Sequence, residues 1–293
     1  MELLQNIDCE LDFDFSRNTT YGLGGKAEIA YFPKTFDEVQ SVLSHLRKIG
    51  KNFVILGAGS NIIASDKYFN GAVVSTKNLN KIEINDQSII CGSGVKVSEL
   101  LKFCINNGAV GYEYLAGIPA TLGGLALMNG GIPQRHIGDD IVSVWLYDEK
   151  IRKLLQKDCK FGNKYSTMRD INTCILQIEL PYKRADCKII RQNIKNYLSL
   201  RRNQPKGKNC GCVFKNSENY SAGKLIDECG LKGLRVGNAY VSDIHANFII
   251  NEGDSAQDIY ILIALIKRAV YEKTKIILEE EVVYIGEFDD FNG

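Results

Sequence analysis

The run Phe53-Val54-Ile55-Leu56 passes without a spacer into Gly57-Ala58-Gly59-Ser60-Asn61, and few backbones satisfy both halves. A short strand suits the first half. In the second, the glycines allow several backbone N–H groups to converge on one anion, with a serine hydroxyl and an asparagine amide beside them. A pyrophosphate can be held this way without a large positive charge, although an ordinary strand–turn element would read the same. The loop is not the dinucleotide fingerprint, because Asn61 and Ile62 stand where its third glycine would fall. No Gly-Lys-Ser/Thr follows, so it is not a P-loop either. A second glycine network covers Gly117-Ile118-Pro119-Ala120-Thr121-Leu122-Gly123-Gly124 and Met128-Asn129-Gly130-Gly131. Apolar residues separate its glycines, so it reads as tight turns around a group that approaches the backbone. Two such networks in one half of a chain point to an extended cofactor.

Periodicity supplies the framework. Apolar residues at 36, 39, 42, 43, 46 and 49 have helical spacing, with Thr35 as a cap and Gly50 as a stop. Further helices are expected over 97–107, 186–203, 222–229 and 256–273. Strands are expected at 53–56, 71–75, 88–91, 141–147, 173–180 and 248–250, with a last strand-like segment from 276 to 285. The alternation argues for mixed α and β with one boundary near residue 185.

Composition narrows the class of partner. With 293 residues, the chain can build two or three cores. Its 36 basic and 35 acidic residues leave a formal charge of +1, which gives no reason to expect a nucleic acid. A small anion needs only local cations. The opening Met1-Glu2-Leu3-Leu4-Gln5-Asn6-Ile7-Asp8 is acidic early and has no apolar stretch, so no secretory signal is expected. The apolar run around 259–266 is too short to cross a bilayer, so no membrane insertion is expected. A cytoplasmic location and reduced thiols follow for the nine cysteines. None has Cys-x2-Cys spacing; Cys210-Gly211-Cys212 with Cys229 would be at most a partial metal cluster. No metal is expected.

A resemblance becomes specific at the level of ordered motifs. Arg17-Asn18-Thr19-Thr20-Tyr21 with Gly24-Gly25, Leu56 to Asn61, Leu115 to Gly124 and Met128 to Gly131 come first. Gln204-Pro205, Gly211-Cys212-Val213-Phe214-Lys215-Asn216, Ala222 to Asp227, Gly230 to Gly233, His245-Ala246-Asn247-Phe248 and Leu278-Glu279-Glu280-Glu281-Val282 follow. In this order, and over nearly the whole chain, they resemble the UDP-N-acetylenolpyruvoylglucosamine reductase family, in its short second type. The resemblance implies a two-subdomain FAD-binding fold of the vanillyl-alcohol-oxidase/PCMH type over 1–185 (subdomains about 1–72 and 73–185). A smaller α+β substrate-binding domain would occupy 186–293. It also implies bound FAD, NADPH as hydride donor, a UDP-linked sugar substrate and a role in peptidoglycan precursor synthesis; a monomer is expected, although the sequence leaves the oligomeric state open.

Site residues follow from the same motifs. Tyr21, Gly57, Ala58, Gly59, Ser60, Asn61, Gly117, Ile118, Pro119, Thr121, Gly123, Gly124 and Asn129 would face FAD. Adding a hydride to an alkene conjugated with a carboxylate pushes charge onto that carboxylate, so the site needs a cation, a stabiliser of the enolic form and an acid near the α-carbon. Glu281 matches the family's glutamate. Cys212 stands where the family has its serine proton donor, and a thiol, with an ordinary pKa of about 8.5, is the stronger acid. The family's arginine run, Phe-x-Tyr-Arg-x-Ser, corresponds here to Phe161-Gly162-Asn163-Lys164-Tyr165-Ser166, which puts Lys164 at the cation. Lys keeps the charge and loses the fork of donors; Arg169 is the alternative. Ser166, Arg202, Gln204, Lys215, Asn216 and Lys224 would bind substrate. Two competing readings stay open on the sequence: another flavoprotein that keeps the first half, or a flavin-free nucleotide-sugar-binding protein.

Overall fold

The computed structural model describes residue 4 and residues 6–170 and 173–291. Residues 1–3 and 5, on which part of the N-terminal reading rests, lie outside them, as do 171, 172, 292 and 293. The chain packs as two compact units, each discontinuous in sequence. The first comprises Met1–Glu10, Ala30–Ala58 and Ala72–Arg202; the second comprises Leu11–Ile29, Gly59–Gly71 and Asn203–Gly293.

In the first unit, Thr35 caps helix α1 (Phe36–Lys48) by accepting from the Glu38 N–H. Val39, Val42, Leu43 and Leu46 are buried on one stripe, as the spacing requires. Strand Phe53–Leu56 pairs in parallel with 72–75, Phe53 opposite Ala72 and Leu56 opposite Ser75. A five-stranded antiparallel sheet runs in the order Ile151–Leu155, Ser143–Tyr147, Cys174–Pro181, Ser88–Gly92, Ile82–Asn85. Helix α2 (Val97–Asn107) ends at Gly108 in the left-handed region (φ +65°), where glycine carries no side-chain penalty. Ile89, Leu100, Leu115, Leu122, Val144 and Ile178 are among the residues of one continuous core.

The stretch 117–131, expected as turns alone, contains helix α3 (Leu122–Leu127). Its glycines serve close packing as well as turning. A Cβ on Gly123 would sit 2.7 Å from the Ser93 Cβ, while Gly123 N–H donates to the Ser93 carbonyl at 2.8 Å. Helix α4 (Cys187–Leu200) closes the unit, capped by Asp186.

In the second unit, helix α5 (Ala222–Glu228) and helix α6 (Ala256–Thr274) accompany a three-stranded antiparallel sheet, Arg235–Val236, Ala239–Val241, Ile249–Asn251. The strand expected over 276–285 narrows to Val283–Ile285, which pairs in parallel with Ile62–Ala64. Before it, Glu280 makes a single bridge with Phe214 instead. Tyr21, Leu23, Ile63, Phe214, Ile226, Val241, Ile259 and Ile266 share the core, so all three segments of the unit contribute to it. No helix among the described residues is long and apolar enough to cross a membrane.

Besides the strand pairing of Ile62–Ala64, one carboxylate ties segment 59–71 to the start of α6. Asp66 accepts from the Ala256 N–H at 3.0 and 2.8 Å and from Gln257 N–H at 3.3 Å, at the start of α6. These donors have no partner within the helix, and the helix dipole favours a negative charge there. Asp66→Ala is expected to cost about 1–2 kcal/mol, read as a lower urea midpoint with an unchanged slope. An unchanged midpoint would show that the cap contributes nothing.

Candidate active site

Asn247 organises the segment that carries Cys212. It is 1% exposed. Its Oδ1 accepts from Phe214 N–H at 2.9 Å, its Nδ2 donates to the Phe214 carbonyl at 2.8 Å, and its own carbonyl accepts from Val213 N–H at 2.9 Å. The clamped segment then pairs antiparallel with the glutamate run. Lys215 N–H donates to Glu279 O and Glu281 N–H to Val213 O, both at 2.8 Å, with Phe214 opposite Glu280. Asn61 braces the other side, its amide donating to the Glu281 carbonyl at 2.9 Å. Cys212 and Glu281, far apart in sequence, are thereby on neighbouring stretches of one unit, and both residues are half-buried.

The three glutamates are not equivalent. Glu279 is exposed and pairs with Lys215 at 3.2 Å; Glu280 is more enclosed and pairs with Lys267 at 2.6 Å. Glu281 lies instead in the electrostatic neighbourhood of Cys210, as Cys212 does. Burial pushes the Cys210 thiol up to about 12, so it stays neutral, with the charge of Glu281 acting in the same direction. Tyr21 is buried beside it, and its hydroxyl faces this sulfur, a weak hydrogen-bonding partner, with no oxygen or nitrogen partner among the described residues. Burial likewise raises Tyr21 well above the usual phenol range. None of the nine cysteines is in a disulfide. Among the described residues, no cluster of three His, Cys, Asp or Glu could hold a metal ion.

The other expected substrate residues have diverse surroundings. The Asn216 side chain accepts from Ala222 N–H at 2.9 Å, at the start of α5. Lys224 and Glu228 are an exposed pair at 3.7 Å, and Arg202 and Gln204 are exposed. Ser166 is fully buried, with its hydroxyl donating to Leu127 O at 2.8 Å. Lys164 lies in the same loop of the first unit, at φ +52°, a conformation that costs a β-carbon-bearing residue energy. Arg169 Nη1 donates to the Lys164 carbonyl at 2.8 Å, so both candidate cations belong to one turn. Asn129 (φ +45°) uses both ends of its amide on that region, donating to Gly162 O at 2.8 Å and accepting from Gly138 N–H at 2.9 Å.

The glycine loops are crowded where the glycines stand. A Cβ on Gly57 would meet Thr121 Oγ1 at 2.4 Å; one on Gly59 (φ +64°) would meet the Asn18 carbonyl at 2.2 Å. Gly117, Ile118 and Pro119 also line a largely apolar cavity of about 630 Å³ with residues of α2 and α4. In the first unit, Thr121 Oγ1 and Ser93 Oγ are buried with no hydrogen-bond partner among the described residues; in the second unit the same holds for Thr20 Oγ1. Sequence reasoning missed Ser93, although Gly92 and Gly94 flank it. It also missed Asn247, which stands in the His245–Phe248 motif but gives no local sign of its clamp.

Comparison with known proteins defines the class first. Residues 27–150 match the family described as an FAD binding domain. A solvent-stable cholesterol oxidase, 18% identical, shares the fold over 61% of this chain and 38% of its own, with a TM-score of 0.50. The particular family follows from the rest. Residues 203–285 match the C-terminal domain of UDP-N-acetylenolpyruvoylglucosamine reductase. The reductase of Caldicellulosiruptor saccharolyticus is 35% identical over 97% of this chain and 94% of its own length. That of Clostridioides difficile is 35% identical over 98% and 96%. The crystal structure of the Thermus caldophilus enzyme matches with a TM-score of 0.81 and 30% identity, over 96% of this chain and 99% of that one. The chain belongs to the UDP-N-acetylenolpyruvoylglucosamine reductase family.

The residues present fit a flavin nucleotide. A buried hydroxyl without a partner costs about 1–3 kcal/mol, and in the first unit the Thr121 and Ser93 hydroxyls stand in this state beside glycine-rich turns. Phosphate and carbonyl oxygens of a dinucleotide would satisfy them. Thr121→Val keeps the shape and removes the orphan hydroxyl. It is expected to raise the thermal midpoint of the FAD-free protein while weakening FAD binding about tenfold, roughly 1.4 kcal/mol. Equal FAD affinity by fluorescence titration would remove Thr121 from the cofactor contacts.

Proposed function

We propose that this protein reduces UDP-N-acetylenolpyruvoylglucosamine to UDP-N-acetylmuramate with electrons from NADPH, a step of peptidoglycan precursor synthesis. The observation that carries this is full-length membership of the reductase family, together with the packing of Cys212 and Glu281 into one unit. The fold is read as the two-subdomain vanillyl-alcohol-oxidase/PCMH type, with an FAD-binding part over 1–185 and a substrate-binding part over 186–293. The enzyme works as a cytoplasmic monomer with no nucleic-acid partner.

When bound, FAD supplies hydride transfer, which no side chain can perform. The protein's own residues bind, orient and move a proton. Gly57, Ala58, Gly117, Ile118, Pro119, Thr121, Gly123, Gly124 and Asn129 in the first unit, and Tyr21, Gly59, Ser60 and Asn61 in the second, are the proposed cofactor contacts. Lys164, with Arg169 as the alternative, is the cation for the substrate carboxylate, supported by Ser166. Glu281 binds or protonates the enolic carboxyl group as charge develops there. The Cys212 thiol then gives its proton to the α-carbon, completing the reduction. Arg202, Gln204, Lys215, Asn216 and Lys224 are proposed to hold the nucleotide-sugar.

Replacing the thiol separates the two half-reactions. Cys212→Ser should retain measurable turnover, and Cys212→Ala should lose about 10²–10⁴-fold in the oxidation of the reduced enzyme by substrate. Flavin reduction by NADPH should survive both. Stopped-flow absorbance measures each half separately; equal losses in both would assign Cys212 a structural role and overturn this mechanism.

A further inference from the structure

We infer that the groove between α2 and α4, within the first unit, binds a small amphipathic anion, a medium-length alkyl carboxylate. Such a site lies outside the reductase reaction and does not depend on it.

The walls come from two neighbouring helices. From α2 come Val97, Leu101 and Ile105, at every fourth position and so on one face; from α4 come Ile194 and Leu198, with the same spacing. Apolar stripes of two adjacent helices ordinarily interdigitate and leave no void. Here the floor between them is Ala116-Gly117-Ile118-Pro119, which begins with two of the smallest residues. At Gly117 (φ +84°) a Cβ would lie 2.9 Å from Arg201 Cδ and 3.4 Å from Leu198 Cδ2, so no side chain can rise from it to fill the space. What remains is the cavity of about 630 Å³, in the range of small-molecule sites. Leu198, on its wall, is 45% exposed, an apolar surface that gains by being covered.

The lining selects the chemistry of the occupant. It contains no aromatic ring, so it offers no stacking surface to a nucleobase or a flavin, and its aliphatic walls suit an alkyl chain. It contains two cations, Lys102 of α2 and Arg191 of α4, and no carboxylate. Both are exposed, so their alkyl stems can extend the apolar wall while the charges stay in water. Acids close by in sequence are engaged elsewhere. Glu99 accepts from Lys96 N–H at 2.9 Å at the start of α2, and the buried Glu113 accepts from Gly111 N–H at 2.8 Å. An apolar body with one negative end matches this lining, whereas a polyphosphate would need more cations than it holds. The floor overlaps the glycine network proposed to contact FAD, so retention of the flavin distinguishes a separate site from part of the cofactor site.

Calorimetric titration of decanoate into the full-length protein with FAD bound tests this. Decanoate should saturate one site per chain and bind about tenfold more tightly than octanoate, the gain expected from two further buried methylenes. Lys102→Gln/Arg191→Gln should weaken decanoate about tenfold and leave decanol unchanged, while Leu198→Ser should weaken both. These three positions are exposed, so the variants are expected to keep the fold. The visible spectrum of the bound flavin should persist at saturation. Decanoate that does not saturate, or that binds the double variant as tightly as the parent, overturns the inference. So does release of the flavin, which would assign the cavity to the cofactor, and so does binding of phosphatidylglycerol vesicles without binding of free decanoate.

Discussion

One buried amide holds the segment around Cys212 in register with the glutamate run. Asn247 satisfies both backbone groups of Phe214 and accepts from Val213, and only with those groups satisfied can 213–215 lie against 279–281. A primary amide suits this task because it presents one acceptor and one donor side by side, matching a peptide unit. An aliphatic residue there would strand a buried N–H and a buried carbonyl, each more costly than the net gain of an ordinary hydrogen bond. Cys212 and Glu281 inherit their positions from this clamp, because the backbones that carry them are bonded to each other.

A second constraint concerns polar groups that are left unsatisfied. Buried hydroxyls nearly always find partners in folded proteins. Thr20, Ser93 and Thr121 have none among the described residues, and each stands at or next to a glycine-rich turn. The glycines remove side chains that would collide with neighbouring groups, as at Gly57 with Thr121 and Gly59 with Asn18. In the first unit, the waiting hydroxyls of Ser93 and Thr121 suit a ligand rich in oxygen atoms, whose binding would supply the partners the free fold lacks.

The charged groups are placed with the same selectivity. The chain is nearly neutral as a whole, yet the acidic run at 279–281 is resolved one residue at a time: Glu279 by Lys215, Glu280 by a helix-borne lysine, and Glu281 beside thiols. Cys210, two residues from Cys212, is a neutral, buried sulfur, whereas Cys212 is half-buried. Two identical side chains in one tripeptide thus have different chemical prospects, and solvent access is the reason.

Much of this is legible in the amino-acid order alone. Helix α1 and strand 53–56 follow from apolar spacing, the cap at Thr35 and the glycine stop, all of which are local. The loop at 57–61 announces close backbone approach because glycine is the residue that permits it. The order of motifs is enough to point to the family. Nothing local shows that 11–29 and 59–71 pack with 203–293, nor that α3 lies inside a glycine-rich stretch, since both depend on what a distant segment presents. Gly123 looks like a turn residue until Ser93 is found against it. Lys215 reads as a substrate-binding cation in the sequence, and nothing local shows that it also pairs with Glu279 at 3.2 Å. Residue type and spacing determined which chemistry this chain can perform. Tertiary structure alone decided how three adjacent glutamates and two neighbouring cysteines differ in burial and pairing, because these are properties of the neighbours a side chain acquires only on folding.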